Sequence, residues 1–344
     1  MAWTIPKFSK KEVDQAGQFL VKGEGEMPAL EKALAIINNW RLSHAYPLNT
    51  FQCTLRYKAK QVYKSSLVAQ RIKRLSSIHQ KLRRLDWLTL SKMQDMGGCR
   101  AIVDSVAQVD ELVTLYKKSG LKHKLVDEDD YIRKPKRSGY RGVHLIYRYY
   151  SDKFNSYNGM KVEMQFRSRL QHAWATAVET VGTFTSQALK ASQGEADWLR
   201  LFALVGSVMA KSEDCPPVPG TPKAEGELTR EIRALATKLD VANNLPAYHT
   251  AMRIMRYKPL KDAHYYLVEV NAKAKEVLVR GYPKGDSEGA ADDLAIAERK
   301  VSSGRLADAV LVSVDSAFAL RHAYPNYFLN ARAFNDVLDK VLGQ

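Results

Sequence analysis

The run Val162-Glu163-Met164-Gln165-Phe166-Arg167 alternates strictly between apolar and polar residues. A period of two fits a β-strand and no helix, so Val162, Met164 and Phe166 share one face and Glu163, Gln165 and Arg167 the other. A carboxylate, an amide and a guanidinium thus line up on one side of a strand. Upstream, DYIRKPKRSGYRG crowds Arg133, Lys134, Lys136, Arg137 and Arg141 around Ser138, Gly139 and Tyr140. The apolar and aromatic run from Val143 to Tyr149 reads as a second strand, returned by a turn around Asn155–Gly159. A basic loop beside such a hairpin suits a polyphosphate substrate. Cations neutralise phosphate, an aromatic ring offers a flat face to a base, and a carboxylate holds a metal or takes a proton. A plain hairpin with a solvated polar face has the same spacing, and spacing alone does not separate the two.

At 344 residues the chain has room for two domains, and 45% hydrophobic residues can bury a substantial core. The formal charge of +16 favours anionic partners: nucleotides, RNA or an anionic membrane surface. There is no apolar run long enough to span a bilayer, and the start MAWTIPKFSKKEV lacks the apolar core of a signal peptide. Cys53, Cys99 and Cys215 are too widely spaced for a disulfide framework or a zinc site, which points to a reducing cytoplasm. Neither GxxxxGK[ST] nor GxGxxG occurs, and no histidine cluster suggests a metal.

Residues 9–42 read as helical, with a break at Pro47 and a second helix from Thr50 to about Val68. Arg56, Lys58, Lys60 and Lys64 on that helix fit a solvated face or an RNA track. Next, Arg71, Lys73, Arg74, Lys81, Arg83 and Arg84 crowd around Ser76 and Ser77. Asp95 precedes the pair Gly97-Gly98 and a strand, Cys99–Val103, that carries Arg100; glycines there let backbone approach a ligand, or simply make a turn. A helix over 106–119 ends at Gly120, a basic strand covers Leu121–Val126, and the acidic DEDD leads into the central loop. Another helix follows the Glu163 strand, and the apolar ADWLRLFALVGSVMAKS is expected to pack on the sheet. The expected class is α+β, a mixed β-sheet flanked by helices.

The run CPPVPGTPK reads as a stiff, exposed linker. It divides the chain into a helical extension (1–29), a main domain (30–214), the linker (215–224) and a C-terminal domain (225–344). That last part reads as a helix over 225–243, a helical hairpin-like segment to Arg256, a β-hairpin (HYYLVEVNAKAKEVLVRGYP), a helix (GAADDLAIAERKVSS), a strand (DAVLVSVDS) and final helices capped by Asp315-Ser316. This ββαβα unit holds no catalytic constellation and reads as a regulatory or interaction domain. The cluster Tyr324-Pro325-Asn326-Tyr327-Phe328 is core or a docking surface.

Four blocks in order, RIKRLSSIHQKL, DMGGCRAIV, DYIRKPKRSGYRGVH and VEMQFRSRLQHAWA, make residues 30 to 195 resemble the synthetase domain of the RelA/SpoT homologues. The resemblance implies a nucleotidyltransferase-like fold. It also implies transfer of the β,γ-pyrophosphate of ATP to the 3′-OH of GDP or GTP, with Mg²⁺, giving the alarmone (p)ppGpp and AMP. By position, Asp95 matches the Mg²⁺-binding aspartate, and Glu163 a second acidic residue that helps hold the metal and activates the acceptor. Arg71, Lys73, Ser77, Lys81 and Arg100 match the ATP side; Lys136, Tyr140, His144, Gln165 and Arg167 match the acceptor side, with Tyr140 stacking on guanine. Asp129 and Ser138 depart from residues common in the family and bear on acceptor choice. With no hydrolase motif upstream, the chain looks like a small stand-alone synthetase, of a kind that forms homo-oligomers. Two other readings stay open. One is a toxin that pyrophosphorylates the 3′-OH of the tRNA CCA end, with the C-terminal domain as a fused regulator answering to a protein or ligand. The other is a degenerate fold that only binds nucleotide or RNA.

Overall fold

The computed structural model describes residues 3–23, 27–184, 195–241, 254–258, 263–271, 274, 276–314, 319–320, 322 and 332–343. Five strands come from the first half of the chain: β1 (Leu67–Ile72), β2 (Gly97–Val103), β3 (Lys124–Asp130), β4 (Val143–Arg148) and β5 (Lys161–Ser168). Four come from its C-terminal third: β6 (Ile254–Lys258), β7 (Ala263–Asn271), β8 (Glu276–Pro283) and β9 (Asp308–Ser313). All nine join one sheet in the order β3-β4-β5-β2-β1-β9-β7-β8-β6. The class is α+β, as the element pattern requires.

The alternation in β5 decides where the first core lies. Val162, Met164 and Phe166 are fully buried against Phe51 and Leu55 of α3 (Ala45–Val62) and Leu112 and Tyr116 of α5 (Val106–Lys117). Two further helices, α1 (Lys10–Lys22) and α2 (Met27–Ser43), extend this layer. Pro47 does not break α3. It sits in the first turn, where its missing N–H costs no intrahelical bond.

β1 is a strand where the sequence suggested the end of a helix. Its burial is nearly continuous because both faces are covered, Val68 and Ile72 joining the core with α3 and Ala69 packing into the cluster of the C-terminal strands, so the period-two signal is blurred. The acidic DEDD run lies within β3, at an edge of the sheet. Its exposed carboxylates discourage pairing with another chain. The apolar helix α7 (Ala196–Lys211) packs not on the sheet but among α6 (Arg169–Phe184), α8 (Glu225–Lys238) and α10 (Arg332–Leu342). A helix apolar on nearly every side needs neighbours all round, and three helices supply them. No helix among the described residues is long and apolar enough to cross a membrane.

The proline-rich run is mostly exposed, yet it is pinned. Val218 is buried and its N–H donates to Ser207 Oγ at 2.8 Å, while Arg141 donates to the Pro216 carbonyl. Beyond it, Ile254–Lys258 is a strand, not part of a helical hairpin. Asp315-Ser316 and the Tyr324–Phe328 cluster lie outside the described residues. The C-terminal strands continue the main sheet because β9 pairs antiparallel with β1, Gln70 opposite Ser313 and Arg71 opposite Val312.

A buried ion pair reinforces that junction. Arg41 of α2 donates to both carboxylate oxygens of Glu298 on α9 (Ser287–Ser302), at 2.8 and 2.7 Å. The two side chains are 3% and 8% exposed. Glu298 also accepts the Leu75 N–H at 2.9 Å, and Arg41 Nε donates to the Lys73 carbonyl at 3.0 Å. Arg74 pairs with Asp308. The C-terminal segment thus grips the turn between β1 and α4 (Leu75–Arg84). Removing the Glu298 carboxylate strands a buried guanidinium, so Glu298→Ala should cost about 3–5 kcal/mol in urea unfolding. A loss below about 1 kcal/mol would mark the contact as an ordinary surface pair.

Candidate active site

Two strand registers assemble the polar face of β5. Parallel pairing with β2 sets Gly98 opposite Glu163 and Arg100 opposite Gln165. Antiparallel pairing with β4 sets His144 opposite Gln165. Glu163 receives His144 Nδ1 at 2.9 Å and the Gln165 amide at 2.6 Å. The Gln165 oxygen accepts from Arg100 Nε at 3.3 Å and from Arg167 at 3.4 Å. Tyr140 Oη accepts from Arg167 at 2.6 Å and lies 2.6 Å from His144 Nε2. One connected network therefore joins Glu163, Gln165, Arg100, Arg167, Tyr140 and His144.

A second cluster forms around Asp95, two residues before β2. Lys73, at the exit of β1, and Lys81, on α4, hold its two oxygens at 2.6 and 2.9 Å. Burial works to raise the Asp95 pKa, but the lysines outweigh it and the carboxyl lies below its usual range, with the Glu163 charge acting the other way. Burial also lowers the Lys73 ammonium. For His144, burial opposes the charged ring, yet Tyr140 and Glu163 prevail and push it up to about 9. Glu163 is correspondingly held well below the usual carboxylate range, its burial outweighed by His144 and Gln165. At neutral pH the ring is an imidazolium that donates from both nitrogens.

Among the described residues no group of three or more His, Cys, Asp and Glu forms a ready metal cage. The donor chemistry still fits Mg²⁺, which prefers one or two carboxylates and takes its other ligands from water and phosphate. Gly98 lies beside the carboxylate: a Cβ there would come into ordinary contact with Glu163 Oε2, at 3.8 Å.

The remaining sequence-derived candidates fall around these clusters. Arg71 lies on β1 opposite Gly98; Ser77 is half-buried on α4. Lys136 reaches over the Tyr131 ring at 4.1 Å and the Tyr140 ring at 5.5 Å. Tyr140 is only 8% exposed, with the Arg167 guanidinium 4.9 Å from its centroid and Trp174 and Tyr131 edge-on. Stacking a base on it would require those neighbours to move. Tyr131 was not singled out from the sequence although it stands inside the DYIRK block. It meets both Tyr140 and His144 edge-on, with ring centroids 5.9 and 5.3 Å away. The loop is held by close approach at Gly139 (φ +94°), where a Cβ would come within 3.0 Å of Trp174 and 3.2 Å of the Phe202 carbonyl.

Residues 70–184 match the family model described as a region found in RelA / SpoT proteins. That stretch holds every member of both clusters. The GTP pyrophosphokinase YjbM of Bacillus subtilis (strain 168) is 33% identical over 114 residues, 32% of this chain and 52% of that protein. The GTP pyrophosphokinase YwaC of the same organism is 31% identical over 111 residues, 31% of this chain and 52% of that protein. The chain thus spans about half the length of the curated relatives it matches. Among solved structures, the B. subtilis small alarmone synthetase 1 bound to its product pppGpp aligns with a TM-score of 0.42 and 22% identity, covering 49% of this chain and 89% of that one.

The His144–Glu163 pair has a pH signature. The raised His144 pKa contributes stability that is full below its ordinary value of 6.5 and is lost as pH rises through about 9. The lowered Glu163 pKa contributes stability present above 4.5 and lost as pH falls below it. His144→Gln should therefore destabilise most between pH 4.5 and 6.5, and its penalty in urea unfolding should shrink toward about pH 9. A penalty that is flat with pH would mean the pair is not ionised.

Proposed function

We propose that the RelA/SpoT region at residues 70–184 makes this chain a pyrophosphokinase, moving the β,γ-pyrophosphate of ATP to the 3′-OH of GDP or GTP. The carrying observation is the division of the site: a lysine-clamped Asp95 on one side of Gly98, and Glu163 with its His144, Tyr140 and Arg167 network on the other. Pyrophosphoryl transfer asks little covalent chemistry of a protein and much positioning and charge neutralisation. Lys73 and Lys81 can turn from Asp95 to ATP phosphates, with Arg71 and Arg100 beside them. A Mg²⁺ ion held by Asp95 and Glu163 would supply the charge that draws electron density from the transferring phosphate oxygens. Kept ionised by His144, Glu163 is a weak base; it suits orienting the 3′-OH and binding a cation more than retaining a proton. Lys136 and the aromatic pair Tyr131 and Tyr140 line the acceptor side.

A second reading keeps the chemistry and changes the acceptor to the 3′-OH of a tRNA CCA end. It is favoured by how far the C-terminal segment reaches into the region: Asp308 pairs with Arg74 and the His322 carbonyl meets His172 Nε2 at 3.2 Å, as a fused regulator would.

An assay with ATP labelled in its β,γ-phosphates separates the two, offering GDP, GTP and bulk tRNA in parallel. Label is expected on a guanine nucleotide, with Asp95→Ala and Glu163→Ala each reducing transfer by roughly 10²–10³-fold or more. Label on tRNA alone would select the second reading. No transfer to any acceptor, or near-normal turnover in either variant, would sink the proposal.

A further inference from the structure

Two aromatic rings line the acceptor side, and one buried side chain connects the segments that carry them. Arg141 follows Tyr140, and its guanidinium donates to the carbonyl of Ile132, the residue after Tyr131, at 2.9 Å. Its other terminal nitrogen donates to the Pro216 carbonyl. Arg141 is 4% exposed and Ile132 1%. No ion pair accompanies these bonds among the described residues. Glu213 lines the same small cavity, but its carboxylate takes the Gln171 amide at 3.2 Å and the Ser168 side chain. A guanidinium this buried has no surface to offer a substrate, and two backbone acceptors do not neutralise its charge. Its planar fork instead bridges two separate stretches of chain.

The bridge bears on the position of both rings. The Tyr131 N–H donates to the Gly142 carbonyl at 3.0 Å, which closes the two ends of the loop on each other. Gly142 (φ +144°) lies so near β5 that a Cβ there would come within 3.1 Å of the Phe166 carbonyl and 3.2 Å of Arg167 Cγ. The Tyr140 hydroxyl meets Arg167 and His144, each at 2.6 Å. A displacement of Arg141 therefore moves Tyr140 relative to Tyr131 and disturbs the network around Glu163. The Pro216 carbonyl is well suited to prevent it. Proline fixes its own φ, and the proline that follows confines residue 216 to extended ψ, so both torsions that aim this carbonyl are preset. On either side, the Cys215 N–H donates to the Ala210 carbonyl at 2.9 Å and the Val218 N–H to Ser207 Oγ at 2.8 Å, both on α7.

We propose that Arg141 is a positioning residue for the acceptor and that the proline-rich run supplies its second anchor, so that the acceptor side is incomplete without residue 216, which lies outside the matched region 70–184. The assignment to an acceptor rests on the pyrophosphokinase reading; the bridge itself does not.

Two variants of the full chain test it. Arg141→Lys keeps the charge but offers one ammonium where two separate carbonyls must be met. Pro216→Gly/Pro217→Gly frees the carbonyl and alters only exposed rings. Urea midpoints establish that the variants fold, and the proline pair decides alone if Arg141→Lys does not. Hydrogen exchange needs no substrate: the amides of 131–142 should exchange about tenfold faster or more in both variants, while those of α4, on the ATP side, keep wild-type rates. In the transfer assay the KM for GDP should rise about tenfold, with the KM for ATP unchanged within about twofold. Unchanged exchange over 131–142 in the proline variant would overturn the proposal, whether or not the chain transfers pyrophosphate. So would wild-type exchange and GDP KM in Arg141→Lys, which would reduce Arg141 to a charge, or equal rises in both KM values, which would mean a general loosening. A wild-type chain that transfers nothing counts against the pyrophosphokinase reading alone and leaves the exchange rates to decide the bridge.

Discussion

Buried guanidinium groups need acceptors, and in this chain several of those acceptors lie far off in sequence. Arg41, Arg100, Arg141 and Arg167 are all buried. Arg41 is matched by Glu298, Arg141 by the Ile132 and Pro216 carbonyls, and Arg100 and Arg167 by Gln165 and Tyr140. Taking such a group out of water without a partner costs several kcal/mol, so each arginine fixes the segment that satisfies it. One holds the C-terminal third to α2, another the proline-rich run to the central loop, and two more hold the polar face of β5 in one arrangement.

The same constraint explains why the candidate site is charged yet internally matched. Asp95 is satisfied by two lysines and Glu163 by an imidazolium. A polyanionic substrate and its cation would exchange partners with these groups, lysines turning to phosphate and carboxylates to metal. Burial of Tyr140 belongs to this picture. Its hydroxyl and ring serve the Arg167 guanidinium, which has little else to bond with in its surroundings.

The grouping of the candidate residues was more legible in the sequence than the architecture. Period two in Val162–Arg167 identifies which residues face the site, and both strand registers keep them there. The four family blocks locate Asp95, Lys73, Lys81 and His144 without any knowledge of distance. What sequence could not give was the union of the two halves. It rests on a two-residue β1–β9 pairing and on single side chains such as Glu298, which looks like any solvated glutamate on an amphipathic helix. The helical reading of Val68 failed for a related reason: a strand covered on both sides loses its alternation. Burial of Tyr140 was hidden too, since a tyrosine in a basic loop reads as exposed until Trp174 and Arg167 close over it.

The placement of β1 between β2 and β9 bears on how the chain is made. Its partner on one side is β2, about 30 residues away; its partner on the other is the last described strand, at Asp308–Ser313. At ordinary elongation rates, β9 leaves the ribosome roughly 10–50 s after β1. Until then β1 lacks its partner on that side, beside the basic segment Arg71 to Arg84. Final closure of the sheet is therefore a late, long-range event.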